Sequence, residues 1–296
     1  MQVVEWKRGK WRKMDDKLKI VFEDKKRTYP GMSLDELLYS VYNEMGQKDV
    51  SFDSVRPNIL AANGINELEY YTRDVNQELK DYIEESIFPQ YEVNDKAHGI
   101  IHIKEVIRRA FALNDTFKLG LDPNMIYAMA AYHDLGKHEN HTIHEKIAAS
   151  KFILDYRMQD FFTHEQREII RAAIEDHRSS KEDEPRTIYG KLISSADRNT
   201  RIDMVFIRSF FVAHERMPNE VIDDYLVYTL KRLSKKYDEN DPENMFFEDE
   251  TYKIFIDDMR ALLKKEDEFK NRYCAVNNIS SRQNKVKDEA GVEFEL

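Results

Sequence analysis

Apolar residues recur at three- and four-residue spacing along most of the chain after residue 75, which is the spacing of amphipathic helices. In one stretch Ile100, Ile103, Val106 and Ile107 fall on a single helical face. The stretch Asn124–Leu135 is instead apolar nearly all round, which predicts a buried helix. The complete pattern predicts helices over residues 33–48, 75–87, 96–113, 124–135, 142–156, 163–177, 187–200, 218–237 and 250–275.

Start signals for helices accompany several of these segments. A Ser or Thr followed three residues later by Glu or Gln is the pattern of a capping box, in which each side chain bonds the other's backbone N–H. Such pairs are Ser33 with Glu36, Thr142 with Glu145, and Thr163 with Gln166. Asp122 before Pro123 predicts an N-cap followed by proline in the first turn, and Pro218 predicts another helix start.

Four segments lack the helical spacing. Leu18–Phe22 alternates apolar and polar residues, which indicates a short hairpin or strand in an otherwise helical protein. Residues 51–68 are mixed and predicted irregular, and residues 238–250 are predicted to form a loop. The polar stretch 280–296 has no periodicity and is predicted to be a disordered tail. The expected fold class is therefore mainly all-α, with a small N-terminal extension that contains the hairpin.

Composition narrows the functional classes. The 296 residues carry a net charge of -10, so we expect no general nucleic-acid binding. The single cysteine excludes a disulfide framework and a cysteine-based zinc site. We expect no signal peptide and no membrane segment, and hence a cytoplasmic protein. Residues 1–30 are locally basic, which fits either an arm that contacts an acidic partner or a solvated appendage.

Histidines are concentrated in the helical region, with eight of the nine between residues 98 and 177. His133 and Asp134 end the predicted buried helix, where Gly136 is expected to adopt the left-handed conformation of a helix C-terminus. His102 lies on the inner face of its helix, and Asp197 ends another helix whose inward residues are apolar. Because an unpartnered buried carboxylate is costly, one metal ion shared by these four side chains would satisfy them all.

The order and spacing of these residues resemble the HD-domain metal-dependent phosphohydrolase superfamily. The resemblance covers residues 80–215 and rests on three motifs. They are His102-x-x-x-Val106, His133-Asp134-Leu135-Gly136-Lys137 and Ser195-Ala196-Asp197-Arg198. It implies a helical bundle whose metal ligands are His102, His133, Asp134 and Asp197. His98 is the less favoured first histidine, because Val106 stands in the family's position relative to His102.

The resemblance also implies a domain organisation. Residues 75–215 would form the HD core, after an N-terminal extension (1–74) of unknown role. Residues 216–279 would form C-terminal helices that pack on the core, before the tail (280–296). Some HD proteins hold a second metal through two further histidines, for which His144 and His177 are the candidates. Either could alternatively contact a substrate phosphate.

The expected chemistry is hydrolysis of a phosphate ester of a nucleotide or another small molecule. The metal would be Mn, Fe, Co, Ni, Zn or Mg, with one ion required and a second allowed. It would activate water, Asp134 would orient that water, and Lys137 would offset charge on the phosphoryl group. Further candidate phosphate contacts are Arg178, Lys181, Arg186, Arg198 and Arg201.

Two other functions remain open at this point. A di-iron oxygenase would use the same six His and Asp residues, and a regulatory HD domain would bind a ligand or partner without catalysis. The sequence also leaves open whether the chain forms a homodimer.

Overall fold

The computed structural model describes residues 2–45, 52–94, 98–178, 183–238 and 246–277. The regular secondary structure of these residues is entirely helical, with no β-strand among them. The predicted all-α class is therefore confirmed. Lys181 and the predicted tail (280–296) lie outside the described residues. Within the described ranges, no helix combines the length and the apolar character needed to cross a bilayer.

Fifteen α-helices follow one another through the described ranges, with a π-helical and a 3-10 turn after the fifth. They are α1 (Gln2–Thr28), α2 (Leu34–Met45), α3 (Phe52–Ala62), α4 (Glu67–Thr72), α5 (Gln77–Tyr82), the π turn (Ile83–Ile87), the 3-10 turn (Phe88–Val93), α6 (Ile100–Thr116), α7 (Pro123–Tyr132), α8 (His144–Leu154), α9 (Met158–Phe161), α10 (His164–Asp176), α11 (Ile188–Ala196), α12 (Ile202–Arg216), α13 (Ile222–Lys236), α14 (Glu250–Leu263) and α15 (Glu266–Val276).

The predicted hairpin at Leu18–Phe22 is wrong, because these residues belong to helix α1. A strand with one inward face would bury Ile20 together with Leu18 and Phe22. Ile20 is instead 69% exposed, whereas Leu18, Val21 and Phe22 are buried. Burial at spacings of three and four is the helical pattern, so the helix satisfies the apolar side chains better than a strand.

Three further expectations about the elements differ from the structure. The region 51–68 is not irregular: it contains α3, with Val55 and Ile59 buried four residues apart, and the start of α4. The helix expected from Pro218 begins only at Ile222. The single helix expected over 250–275 is divided into α14 and α15.

Local hydrogen bonds explain which start signals are correct. The Ser33 box is formed, because its N–H donates to Glu36 Oε2 at 2.7 Å and its Oγ accepts from the Glu36 N–H at 3.3 Å. The Thr163 box is formed in the same way. The Thr142 box is not formed, since α8 begins one residue later and the Thr142 N–H donates to Asn140 Oδ1 at 2.9 Å.

The buried apolar side chains form two clusters. The larger core runs from Leu18 to Ala196, and the smaller core runs from Ile202 to Tyr273. Helix α7 lies within the larger core, with every residue from Met125 to Tyr132 buried. It packs against α6, α8, α10 and α11. The predicted buried helix therefore stands at the centre of the bundle, and the residues that follow it emerge among four neighbouring helices.

A buried ion pair joins the two cores. Arg109 of α6 is 2% exposed and donates from Nη2 to Asp249 Oδ2 at 2.7 Å, across 140 residues of sequence. Asp249 is also the N-cap of α14, where its Oδ1 accepts from the Thr251 N–H. One carboxylate thus starts a helix of the smaller core and neutralises a cation of the larger core.

Candidate metal centre

The four predicted ligands from three parts of the chain lie together. His102 is on α6, His133 and Asp134 directly follow α7, and Asp197 is the C-cap residue of α11. His102 Nε2 is 3.1 Å from Asp197 Oδ1 and 3.6 Å from Asp134 Oδ2. His133 Nε2 is 3.6 Å from Asp134 Oδ2 and 3.9 Å from Asp197 Oδ1. We call these four residues the first ligand set.

A second set adjoins the first through the other oxygen of Asp134. Its Oδ1 lies 3.1 Å from His144 Nε2 and 3.6 Å from His177 Nε2. The two imidazole nitrogens are 3.1 Å from each other. His144 begins α8 and His177 is the C-cap of α10, and both are buried. Asp134 therefore lies between the two sets, with Oδ2 toward one and Oδ1 toward the other.

The distances within each set suit a single cation. Ligand atoms about 2.0–2.2 Å from one ion can be no more than about 4.4 Å apart. The separations given above range from 3.1 to 3.9 Å. In addition, His102 Nε2, His133 Nε2 and Asp134 Oδ1 are buried and make no well-aligned hydrogen bond in the described structure. Buried polar atoms rarely lack a hydrogen-bond partner, and a metal ion at each set would provide these atoms with one.

Three of the imidazoles are oriented for binding through Nε2. Nδ1 of His133 lies 2.8 Å from the Ala130 carbonyl, and Nδ1 of His177 lies 2.7 Å from that of Ile174. Nδ1 of His144 lies 3.0 Å from the His141 carbonyl. A carbonyl only accepts, so in each neutral ring the proton is assigned to Nδ1 and the lone pair to Nε2. The Nε2 lone pairs of His144 and His177 then face each other, which requires a cation or a proton between them.

His102 differs from the other three histidines. Its Nδ1 lies 3.3 Å from Nη1 of Arg208 on α12, and arginine can only donate. In the metal-free ring the proton therefore belongs on Nε2, facing Asp197. A metal held by Nε2 would require the ring proton on Nδ1, and Arg208 would then lose this acceptor. The same Arg208 nitrogen lies 3.4 Å from Asn199 Oδ1.

The electrostatic environment favours the metal-binding forms of His133 and of the two aspartates, whereas for His177 burial would lower the pKa but Asp134 raises it above the ordinary value. Burial lowers the pKa of His133 to about 4, so this imidazole is neutral at neutral pH. Burial alone would raise the pKa values of Asp134 and Asp197. The neighbouring imidazoles, first His133 and then His102 and His144, nevertheless hold the pKa of Asp134 well below its ordinary value. His102, followed by His133, lowers that of Asp197.

Gly136 has a role other than the predicted one. Its φ is not positive, so it is not a left-handed C-terminal residue. A Cβ at this position would lie 2.6 Å from Cβ and Cγ2 of Ile147 and 3.1 Å from the carbonyl oxygen of His144. Glycine is required because α8 crosses the turn after Asp134 at very short range. That crossing brings His144 to the second ligand set.

Lys137 is next to the second ligand set. Its Nζ lies 3.4 Å from His144 Nε2 and 3.9 Å from Asp134 Oδ1. An ammonium here would donate to the nitrogen that a second ion would use. Lys137 and a second ion therefore compete for His144, and the predicted role of Lys137 toward a phosphoryl group depends on which of them is bound.

The other predicted phosphate contacts differ in availability. Arg178 donates to Glu145, and Arg186 pairs with Asp176 and Glu175, so both already bind carboxylates. Arg198 and Arg201 line a small cavity that also contains His102 and Asp197. The Arg198 guanidinium stands 5.6 Å from the ring centre of Tyr252. Of the described candidates, Arg198 and Arg201 thus lie beside the first ligand set.

The remaining histidines lie outside the two sets. His98 is near His102, with ring centres 6.0 Å apart. His138 and His141 are exposed in the turn region between α7 and α8, and His164 is exposed at the start of α10. His214 contacts the Tyr225 hydroxyl at 2.9 Å. Sequence reasoning missed Arg208, because nothing in the spacing of α12 relates it to a histidine 106 residues earlier.

A cavity much larger than the one beside the first ligand set lies elsewhere in the described structure. It has a volume of about 660 Å³ and is lined by residues of α2, α6 and α14, among them Tyr39, Arg109 and Phe255. None of the six ligand-set residues lines it. The size of a cavity alone does not identify a functional site. The convergence of buried imidazoles and carboxylates at the ligand sets is a more specific indication of one.

Comparison with known proteins identifies the domain that carries both sets. A family model for the HD domain matches residues 99–202, which include all six ligand-set residues. An uncharacterized protein from Clostridium beijerinckii is 34% identical over 111 residues, which is 36% of this chain and 66% of that relative. No solved structure gives a significant match. Residues 99–202 are therefore an HD domain, in agreement with the resemblance to the HD-domain superfamily that the sequence motifs indicated.

Proposed function

We propose that the chain hydrolyses a phosphate ester of a small molecule, such as a nucleotide, using divalent metal held by the two ligand sets. The observation that carries this proposal is the position of Asp134, with one oxygen toward each set. A carboxylate shared in this way is suited to two ions a few ångströms apart, an arrangement used by hydrolytic enzymes that act on phosphates. HD-domain membership is compatible with this chemistry and does not identify the substrate.

The histidines, the lysine and the arginine around the two ligand sets would have different roles in this reaction. When bound, divalent metal would supply Lewis acidity toward a phosphoryl oxygen and lower the pKa of a coordinated water. The Nδ1 hydrogen bonds of His133, His144 and His177 to backbone carbonyls fix the rings so that Nε2 faces the centre. With an ion in place of Lys137 at His144 Nε2, the Lys137 ammonium would be free to stabilise negative charge beside the second set, and Arg198 would do so beside the first.

The test is a hydrolysis screen on the full chain loaded with Mn²⁺, covering nucleotides and simple phosphomonoesters and phosphodiesters. We expect phosphate release or diester cleavage that chelators abolish. Asp134→Asn should abolish it, because one substitution weakens both sets. The exposed Asp257→Asn on α14 is the matched control and should leave the rate unchanged. Stoichiometric metal in a protein that cleaves none of these esters would refute the proposal.

The same six ligands favour one other function, a di-iron oxygenase, since two His- and Asp-bound irons would occupy the same two sets. Two irons per chain and oxygen consumption with an organic substrate, without ester hydrolysis, would favour this alternative. Phosphate release supported by Mg²⁺, which has no accessible redox chemistry, would exclude it as the main activity.

A further inference from the structure

The cavity of about 660 Å³ lies between the HD domain and the helices that precede and follow it in sequence. Its lining comes mainly from α2, α6 and α14, and most of the lining residues fall outside the family match at residues 99–202. We call it the flanking cavity. Its volume is within the range of small-molecule sites, about 300–1,000 Å³. Because none of the six ligand-set residues lines it, a molecule bound there would not occupy the metal centre.

One part of the lining is apolar and aromatic. The side chains that form it are Met32, Tyr39, Phe52, Leu113, Ile254 and Phe255. The rings of Tyr39 and Phe52 meet edge to face, with their centres 5.3 Å apart. The face of an aromatic ring carries partial negative charge, so such a surface can contact both an apolar group and an organic cation.

The cationic side chains that line the cavity are already neutralised. Each of the three forms an ion pair, at 2.7 Å for Lys25 with Glu44, 2.7 Å for Arg109 with Asp249, and 2.8 Å for Arg272 with Asp203. A phosphate or carboxylate group in the cavity would therefore meet no cation that lacks a counterion. The lining does not favour an anionic ligand.

Two carboxylates of the lining lack a cationic partner. Glu250 and Asp258 of α14 both line the cavity and are exposed, so they lie where it opens to solvent. Neither forms an ion pair within the described ranges. We call them the rim carboxylates. A positively charged group at the opening would be attracted by both of them.

Arg109 adds a hydrogen-bond donor at the buried side of the cavity. Its guanidinium binds Asp249 and the Ser195 carbonyl through Nη2, at 2.7 and 3.5 Å. The side chain is buried, and its Nε has no acceptor in the part of the chain that the structure describes. An unsatisfied buried donor is costly. Since Asp249 already neutralises the charge, a neutral oxygen of a ligand is the acceptor that suits this position.

We propose that the flanking cavity binds an organic cation, namely an ammonium compound with an apolar or aromatic body and a neutral oxygen acceptor. The body would contact Tyr39, Phe52 and Phe255, and the ammonium group would lie near the rim carboxylates. The oxygen would accept from Arg109. This site is separate from the metal centre, and it does not depend on the proposed hydrolysis.

The experiment measures the binding of three related probes to the full Mn²⁺-loaded chain by calorimetry. Tyramine has a phenol oxygen, an aromatic body and an ammonium group. Tyrosol replaces the ammonium by a hydroxyl group, and 4-hydroxyphenylacetate carries a carboxylate instead. We expect tyramine to bind at least about fivefold tighter than tyrosol, because two ion pairs with exposed carboxylates contribute roughly that factor. The acid should bind more weakly than either.

Two double variants test the rim carboxylates. Glu250→Gln/Asp258→Asn should reduce the affinity for tyramine to about that for tyrosol. Glu248→Gln/Asp257→Asn is the matched control, since it removes the same charge from exposed positions that do not line the cavity. The control should keep the preference for tyramine. Equal loss in the two variants would show a general effect of net charge and would overturn the site.

The position of the site is tested by volume and by metal removal. Ser40→Phe on α2 places a large side chain in the lining and should abolish tyramine binding without changing the metal content. Chelator treatment should leave tyramine binding unchanged. A requirement for metal would locate the probe at the ligand sets, and equal binding of all three probes would show no selectivity for a cation; either result would overturn the proposal. Selective tyramine binding by a chain that cleaves no ester would support this site and refute the proposed function.

Discussion

At the scale of single residues, Asp134 connects the two ligand sets of the candidate metal centre. It is almost completely buried, and its two oxygens face different histidine pairs. A buried carboxylate with such neighbours stays ionised, because the imidazoles lower its pKa. Any activity that required an ion at each ligand set would therefore depend on this side chain.

Substitution of the two aspartates should have different effects on metal content. Asp134→Asn should remove metal from both sets, whereas Asp197→Asn should affect only the first. Changes in partners of ligands already cost about 10–100-fold in metal affinity, so the loss of a direct ligand should cost at least that much. Elemental analysis of protein dialysed against Mn²⁺ measures this. Equal metal loss in both variants would show that Asp134 does not connect the sets.

Gly136→Ala tests the close crossing of α8. The added methyl would meet the Ile147 side chain at 2.6 Å, so α8 must shift and carry His144 with it. We expect a loss of about 1–3 kcal/mol in the free energy of unfolding, together with weaker binding at the second set. Urea denaturation and metal titration measure the two effects. Gly64→Ala is an informative comparison, because its strain comes from a positive φ of 65° rather than from a neighbouring side chain.

The sequence predicts the residues of the centre better than their surroundings. His102, His133, Asp134 and Asp197 were found from order and spacing, and the structure brings them together. The role of Gly136 was wrong, because a close approach between segments leaves no local pattern. Arg208 was missed for the same reason: its contact with His102 spans 106 residues.

Helix α7 positions the centre at the scale of elements. Its burial on all sides fixes where the chain emerges, so His133 and Asp134 are presented at a defined point between α6, α10 and α11. The start of the helix is equally well fixed. The Asp122 carboxylate accepts from the N–H groups of Asn124 and Met125 at 2.8 and 3.4 Å.

Asp122→Ala should destabilise α7 from its start. Loss of an N-cap costs about 1 kcal/mol, and we expect a decrease of that size in the free energy of unfolding measured with urea. Asp122→Asn keeps an accepting oxygen and should retain most of the stability. If the two variants were equally stable, the cap would contribute nothing.

Helix boundaries can be predicted from sequence where they depend on hydrogen bonds between nearby residues. The Ser33, Asp122 and Thr163 caps depend on hydrogen bonds between residues two or three apart, so their patterns were sufficient. The α1 assignment failed because five alternating residues also fit a helix, and only the tertiary burial of Val21 rather than Ile20 distinguishes the two. The helix ends that carry the ligand sets are positioned by packing between helices, for which the sequence contains no local pattern.

At the scale of the whole molecule, an ionic network attaches the N-terminal helices to the HD domain. Arg56 of α3 donates to Asp35 of α2 at 2.6 Å and also binds Glu67 of α4. Arg108 of α6 binds Glu67 at 3.1 Å and Glu105 at 2.9 Å. Burial would raise the pKa values of Asp35 and Glu105, but Arg56 and Arg108 lower them to about 2.

This network predicts a loss of stability in acid. A carboxylate whose pKa is lower in the folded chain stabilises it above the unfolded pKa, near 4, and the stabilisation disappears as the pH falls toward 2. Each group contributes on the order of 2 kcal/mol. The free energy of unfolding should therefore decrease between pH 5 and pH 2. Asp35→Asn should make that decrease shallower in urea titrations at several pH values, and an unchanged slope would contradict the assignment.

The Arg109–Asp249 pair has a practical consequence for anyone who wishes to isolate the HD domain. A fragment cut at residue 202 keeps the arginine and discards its only carboxylate partner in the described structure, which leaves an interior guanidinium without a counterion. Such a fragment should be recovered as aggregate, and Arg109→Met should improve its yield of soluble material more than surface substitutions do. On this prediction, the HD domain needs the smaller core in order to fold into a soluble protein.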